Sequence, residues 1–201
     1  MSIAIETDDS PPAHGDLLKE LDAVFSDGSR LMDGLADDAM FWRPSEAGWS
    51  VGECVSHLLV TLELYLPRIE SAVTAGLADP RARRDPGTPS RPPRGFAARL
   101  IQSQEPPVKR GMKAVKVLRE FPDRDGSSLR NDWVTQHESL EAWIRDSATI
   151  DLTRVKIRSP VLRLLRMKLD TAIRFILAHE RRHIWQGWNV RRDPRFPTQG
   201  S

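Results

Sequence analysis

Four stretches of the chain repeat apolar residues every three to four positions, and almost none alternates them every second one. That confines the fold to packed helices. In residues 15–38, Leu17, Leu21, Val24, Phe25, Leu31 and Leu35 recur at helical spacing, with Gly28 as the weak point. In residues 50–77, Ser50 and Glu53 spell the S-x-x-E capping box, and Val55, Leu58, Leu59, Leu62, Leu66 and Ile69 follow as the buried face. Pro67 is expected to kink this helix. A third helix is expected from Ser127 or Ser128 to 147, with Leu129, Trp133, Leu140, Trp143 and Ile144 inward. The fourth is expected over 161–189, with Leu164, Leu165, Leu169, Ile173, Ile176 and Leu177 on one side. The bridge VKIRSP before it reads as extended. The fold class is therefore all-α, a bundle of four long helices.

Residues 79–107 are different material. Pro80, Pro86, Pro89, Pro92 and Pro93 stand among arginines and exclude a regular element, apart from a short helix near 96–102. A loop of this length within one domain is uncommon and is usually functional or disordered. The expected organisation is a flexible N-terminus at 1–14, one helical domain over 15–192 and a tail at 193–201.

Composition limits the function classes. Hydrophobic residues make up 39% of the chain and charged residues 29%, which supplies a real core. Lys and Arg number 30 against 28 for Asp and Glu, so no basic face is expected and nucleic acid is excluded as a partner. No run approaches the roughly 20 apolar residues of a membrane span. The first residues, MSIAIETDDS, lack the basic and apolar regions of a secretory signal. The single cysteine, Cys54, excludes an internal disulfide and a cysteine-rich zinc site. A cytoplasmic location is expected.

The chemistry lies in HERRHIWQ, residues 179–186. It contains H-E-x-x-H, the spelling of a zinc-protease helix with Glu180 as its base. The 18 residues after His183 hold Asp193 but neither Glu nor His for a third ligand, and the chain offers almost no strand to align a peptide. The metalloprotease reading therefore ranks last. Four residues along a helix return to within roughly 40° of the same direction, so His179 and His183 share a face. His57 lies near the start of the second helix. If the second and fourth helices run antiparallel, the three imidazoles converge, and three neutral His with an open position is the donor set of a catalytic zinc-like ion. His14 and His137 are left outside the site.

GWSVGECVSHLL (residues 48–59) and AHERRHIWQ (residues 178–186) together resemble the DinB-like (damage-inducible) four-helix-bundle superfamily. Its members carry W-S-x-x-E-x-x-x-H-L at the start of the second helix and H-x-x-x-H on the fourth. The resemblance implies an up-up-down-down bundle, often a homodimer, with zinc or nickel on His57, His179 and His183. It also implies a metal-dependent enzyme acting on a small molecule. That enzyme would be a transferase or isomerase using a low-molecular-weight thiol such as mycothiol or bacillithiol, or a hydrolase. A non-catalytic, metal-stabilised ligand-binding or dimeric module is the alternative.

Around the three histidines, Glu53 lies one turn before His57 and is either the helix cap or a base. Glu180, Arg181 and Arg182 are expected in ion pairs. Gln186 is expected at the mouth of the site, and Cys54 as a buried thiol.

Overall fold

The computed structural model describes residues 12–84, 92–107, 123–161 and 165–197. Four long helices dominate: α1 (Pro12–Met32), α3 (Val51–Ala78), α5 (Gly126–Asp146) and α6 (Leu169–Arg191). Two short ones, α2 (Asp37–Met40) and α4 (Phe96–Gln102), sit in the connections. The strands β1 (Lys156–Arg158) and β2 (Arg166–Lys168) form an antiparallel pair. Among the described residues no helix is long and apolar enough to cross a membrane.

The chain stops and starts for local reasons. The expected first helix, 15–38, ends early at Met32, because Gly34 takes a φ of 69° that side chains rarely adopt. It also begins earlier than expected, so His14 is helical and buried, with its Nε2 2.9 Å from the Ser147 carbonyl. Gly28 stays inside α1 because the Trp133 ring packs on it; a Cβ there would stand 2.2 Å from the ring. α3 opens on the expected capping box, Ser50 accepting from the Glu53 amide and Glu53 from the Ser50 amide. Pro67 lies within α3.

α6 departs most from expectation. It starts at Leu169 rather than at 161, because residues 156–158 and 166–168 pair as antiparallel strands. Ile157 and Met167 pair across it and are buried, while their neighbours are exposed, which is the two-residue period of a half-buried sheet. Of the residues assigned to that helix, Leu164 lies outside the described ones, as do 1–11, Pro86 and Pro89 in the proline-rich stretch, and 198–201. The first part of the expected tail folds back, burying Phe196 edge-on against Trp42.

The long helices pack in a ring, α1 on α5, α5 on α3, α3 on α6 and α6 on α1, around a shared apolar core. Their directions follow from contacts at both ends. α1 and α6 run parallel: Glu20 meets Arg174, Asp27 meets the Trp188 indole, and Arg191 reaches the Leu31 carbonyl. α1 and α5 run antiparallel, with His14 on Ser147 and Trp133 on the Phe25 carbonyl. α3 and α5 run parallel. Gly52 and Gly126 both lie against Met40 at one end, and Gly76 lies against Ile150 at the other. α3 and α6 run antiparallel: His57, early in α3, meets His179, while Val155 packs on Gly76 near the end of α3 and its carbonyl takes the Leu169 amide at the start of α6.

The order is up-down-down-up, which corrects the up-up-down-down expectation. Parallel neighbours need a connection that returns the full length of a helix, about 40 Å for the 28 residues of α3. Residues 79–125, between the parallel α3 and α5, provide the length for that return. α1 and α3, joined by residues 33–50, run opposite ways.

Candidate metal centre

α3 and α6 bring His57, His179 and His183 together, their nearest ring nitrogens all within 4.8 Å of one another. His57 and His183 are buried and His179 is partly exposed. The Nε2 atoms of His57 and His179 stand 3.0 Å apart. Two nitrogens bound to one tetrahedral zinc at about 2.0–2.1 Å are separated by about 3.3 Å, so this edge already has nearly the span of a shared ion.

The far nitrogens show which atoms are on offer. His179 Nδ1 donates to Gln104 Oε1 at 3.1 Å, and His183 Nδ1 donates to Gln186 Oε1 at 3.1 Å. With Nδ1 carrying the proton, a neutral ring presents a bare Nε2 lone pair. Burial works the same way: it pushes His179 down to about 3, with the neighbouring His57 and Arg182 charges adding to it. His183 is held well below the usual histidine range, first by burial and then by His179, His57 and Arg182. Neutral imidazoles with converging lone pairs fit a borderline-soft divalent cation, and the three residues can hold one.

Aromatic rings wall the cluster. Trp49 stacks on His183 at 5.6 Å between centroids and 18° between planes, and lies 5.2 Å from His57. Phe175 lies nearly parallel to His179 at 6.1 Å. Phe175 is four residues before His179, so helical spacing gave a signal for it. Gln104 gave none, because it lies in the irregular connection and meets His179 only through the tertiary fold.

The other candidates fall into place around the cluster. Both Glu53 oxygens are engaged: Oε2 takes the Ser50 amide and the Arg43 Nε, and Oε1 takes the Arg43 Nη2. Its carboxylate thus faces the cap and Arg43, and Glu53 is not one of the side chains grouped with the three histidines. Cys54 is fully buried, and burial raises its thiol far above the ordinary range. Arg181 grips Glu105 and reaches Glu20. Arg182, expected in an ion pair, forms none among the described residues; it is buried, and its charge helps keep the histidines neutral. Glu180 turns away from the cluster, 1% exposed, with Oε1 3.5 Å from Nε2 of the buried His137.

A family model of the DinB superfamily matches residues 20–186. The chain belongs to the DinB superfamily. Its two motif segments, W-S-x-x-E-x-x-x-H on α3 and H-E-R-R-H on α6, supply all three clustered histidines of this DinB protein. No curated protein and no solved structure matches the chain.

Proposed function

We propose that this DinB-superfamily protein is a metal-dependent enzyme in which Nε2 of His57, His179 and His183 hold one divalent ion, zinc or nickel. The carrying observation is the pair of amide acceptors behind His179 and His183, which leave both rings with a lone pair facing His57. The bound ion supplies Lewis acidity, which makes a thiol or a water a competent nucleophile near neutral pH. Trp49 and Phe175 give the site apolar walls suited to a small organic substrate. Arg182 adds positive potential that favours an anionic ligand beside the ion. Glu53 caps α3 and anchors Arg43, so no proton transfer is assigned to it. The reaction class is S-transfer or isomerisation with a low-molecular-weight thiol, or hydrolysis. The four long helices make up a four-helix bundle working as a cytoplasmic homodimer.

Metal analysis of protein purified without chelator tests the site: about one zinc or nickel per chain is expected, and His57→Ala should lose it. Full occupancy in His57→Ala removes the three-histidine site. Incubating the loaded protein with mycothiol or bacillithiol and an electrophile, or with simple esters, then separates thiol transfer from hydrolysis. Stoichiometric ion with no turnover on either substrate set makes the protein a metal-stabilised binding module.

A further inference from the structure

Of the contacts around the three histidines, one originates far from α3 and α6. Gln104 follows α4 in the connection between α3 and α5, yet it is 2% exposed and bonded to His179. Its orientation is dictated by a chain of donors starting from a group that can only accept. The Leu100 carbonyl takes the Ser103 hydroxyl proton at 2.7 Å. Ser103 Oγ is then left to accept, and Gln104 Nε2 donates to it at 3.0 Å. That turns Gln104 Oε1 toward His179, whose Nδ1 must donate, and the His179 Nε2 lone pair is left facing His57. The final turn of a seven-residue helix thus fixes the tautomer of a ring on α6.

The same segment is pinned next to this chain. Glu105 receives Arg181 Nε through both oxygens, at 3.2 and 3.0 Å, and Arg181 also reaches Glu20 on α1. α4 itself lies against α6. His183, by contrast, is oriented by Gln186 of its own helix and needs no outside segment.

From this geometry we infer that Gln104 is a positioning residue for His179, and that seating of segment 95–107 and ion uptake are mutually coupled. The inference rests on the three-histidine reading above. An ion that binds His179 better when its Nδ1 is held must in turn favour the seated segment, since linkage is reciprocal. Partners of this kind behind a metal-bound histidine are typically worth about 10–100-fold in affinity.

The test is competition for Zn2+ between the full chain and a chromophoric chelator at pH 7. Gln104→Leu is expected to bind about 10–100-fold more weakly. Gln104→Glu, which keeps an acceptor for Nδ1, is expected to recover most of the affinity and to restore the Co2+ absorption bands that Gln104→Leu shifts. Arg181→Gln touches no histidine of the cluster and serves if Gln104→Leu does not fold; a loss of several-fold is expected. Hydrogen exchange at 96–105 should slow on adding Zn2+ to the wild type.

Affinity in Gln104→Leu within twofold of wild type, or exchange at 96–105 indifferent to Zn2+, overturns the coupling while leaving the site intact. If Gln104→Leu does not fold, unchanged affinity in Arg181→Gln overturns it. Failure of the wild type to take up the ion, or full uptake by His57→Ala, overturns the site and the coupling together.

Discussion

Two sides of α6 hold histidine contacts of opposite character. Toward α3, His179 and His183 have neutral amide oxygens behind them and another imidazole in front. Toward the centre of the ring, Glu180 faces His137 of α5 across 3.5 Å, both buried. His137 is also held from behind, its Nδ1 donating to the Trp133 carbonyl at 2.7 Å. Its Nε2 faces the carboxylate. One environment gathers lone pairs for a cation. The other closes a pair upon itself, with aromatic rings of Trp133 and Phe25 packed beside it. A histidine's neighbours, and not its presence on a helix, decide which of these it serves.

The largest effect is expected from breaking the closed pair. Neither Glu180 oxygen nor His137 Nε2 has a hydrogen-bond partner among the described residues beyond the 3.5 Å contact that joins Oε1 to Nε2, so His137→Leu leaves a buried carboxylate alone and Glu180→Leu leaves a buried imidazole nitrogen alone. Each single variant should cost about 3–5 kcal/mol in urea unfolding. The double variant His137→Phe/Glu180→Leu should recover most of that, because an apolar pair of similar volume is often no less stable than a buried polar one. Single variants costing less than about 1 kcal/mol would show that the two groups do not depend on each other.

This contrast was only half legible in the sequence. The cluster was readable because two of its members share a helix face and the third follows a capping box; each of those signals is local. That α3 and α6 run antiparallel entered as a condition, and Val155, which joins the end of α3 to the start of α6, supplies it together with the His57–His179 contact. Glu180 was readable as an ion-pair partner but not as a buried one, since its neighbours Arg181 and Arg182 suggest a solvated face. The true start of α6 was hidden because Leu164, Leu165 and Leu169 continue a helical rhythm into residues that pair as strands. Helix direction was hidden for another reason. It is set by which connection returns along the ring, and the length of 79–125 could have shown it. Gln104 had no readable signal, since only tertiary packing brings an irregular segment onto His179.

A smaller effect separates the two environments by pH. In metal-free protein well above pH 6.5, His179 and His183 are neutral in folded and unfolded chains alike, and their protonation costs the fold nothing. As pH falls below about 6.5, the unfolded chain binds protons that the folded cluster refuses, because burial holds His179 down to about 3 and His183 well below the usual range. Stability should therefore fall toward acid. Two such rings cost at most about 2 kcal/mol between pH 6.5 and 5.5, where each unfolded ring goes from about half to about nine-tenths protonated. Unfolding free energies in chelator across that interval measure the slope. His183→Ala should flatten it; an unchanged slope would mean that the cluster is not what refuses the proton.

The smallest effect concerns Glu53, a carboxylate one turn before His57, and asks which side of the comparison it joins. Its oxygens hold the α3 cap and Arg43, and the Arg43 side chain is half exposed. Glu53→Gln keeps an oxygen for the Ser50 amide and gives up the ion pair, a loss of about 0.5–1 kcal/mol for a pair open to water. Ion uptake and any turnover with thiol or ester should stay within about twofold of wild type. A general base removed in the same way costs about 10²–10⁴-fold in rate. A drop of that size with full ion occupancy would return Glu53 to catalysis and make α3 supply both a ligand and a base. Unchanged turnover with a slightly lower midpoint in urea leaves it as the cap that holds the start of α3, and with it His57, in place.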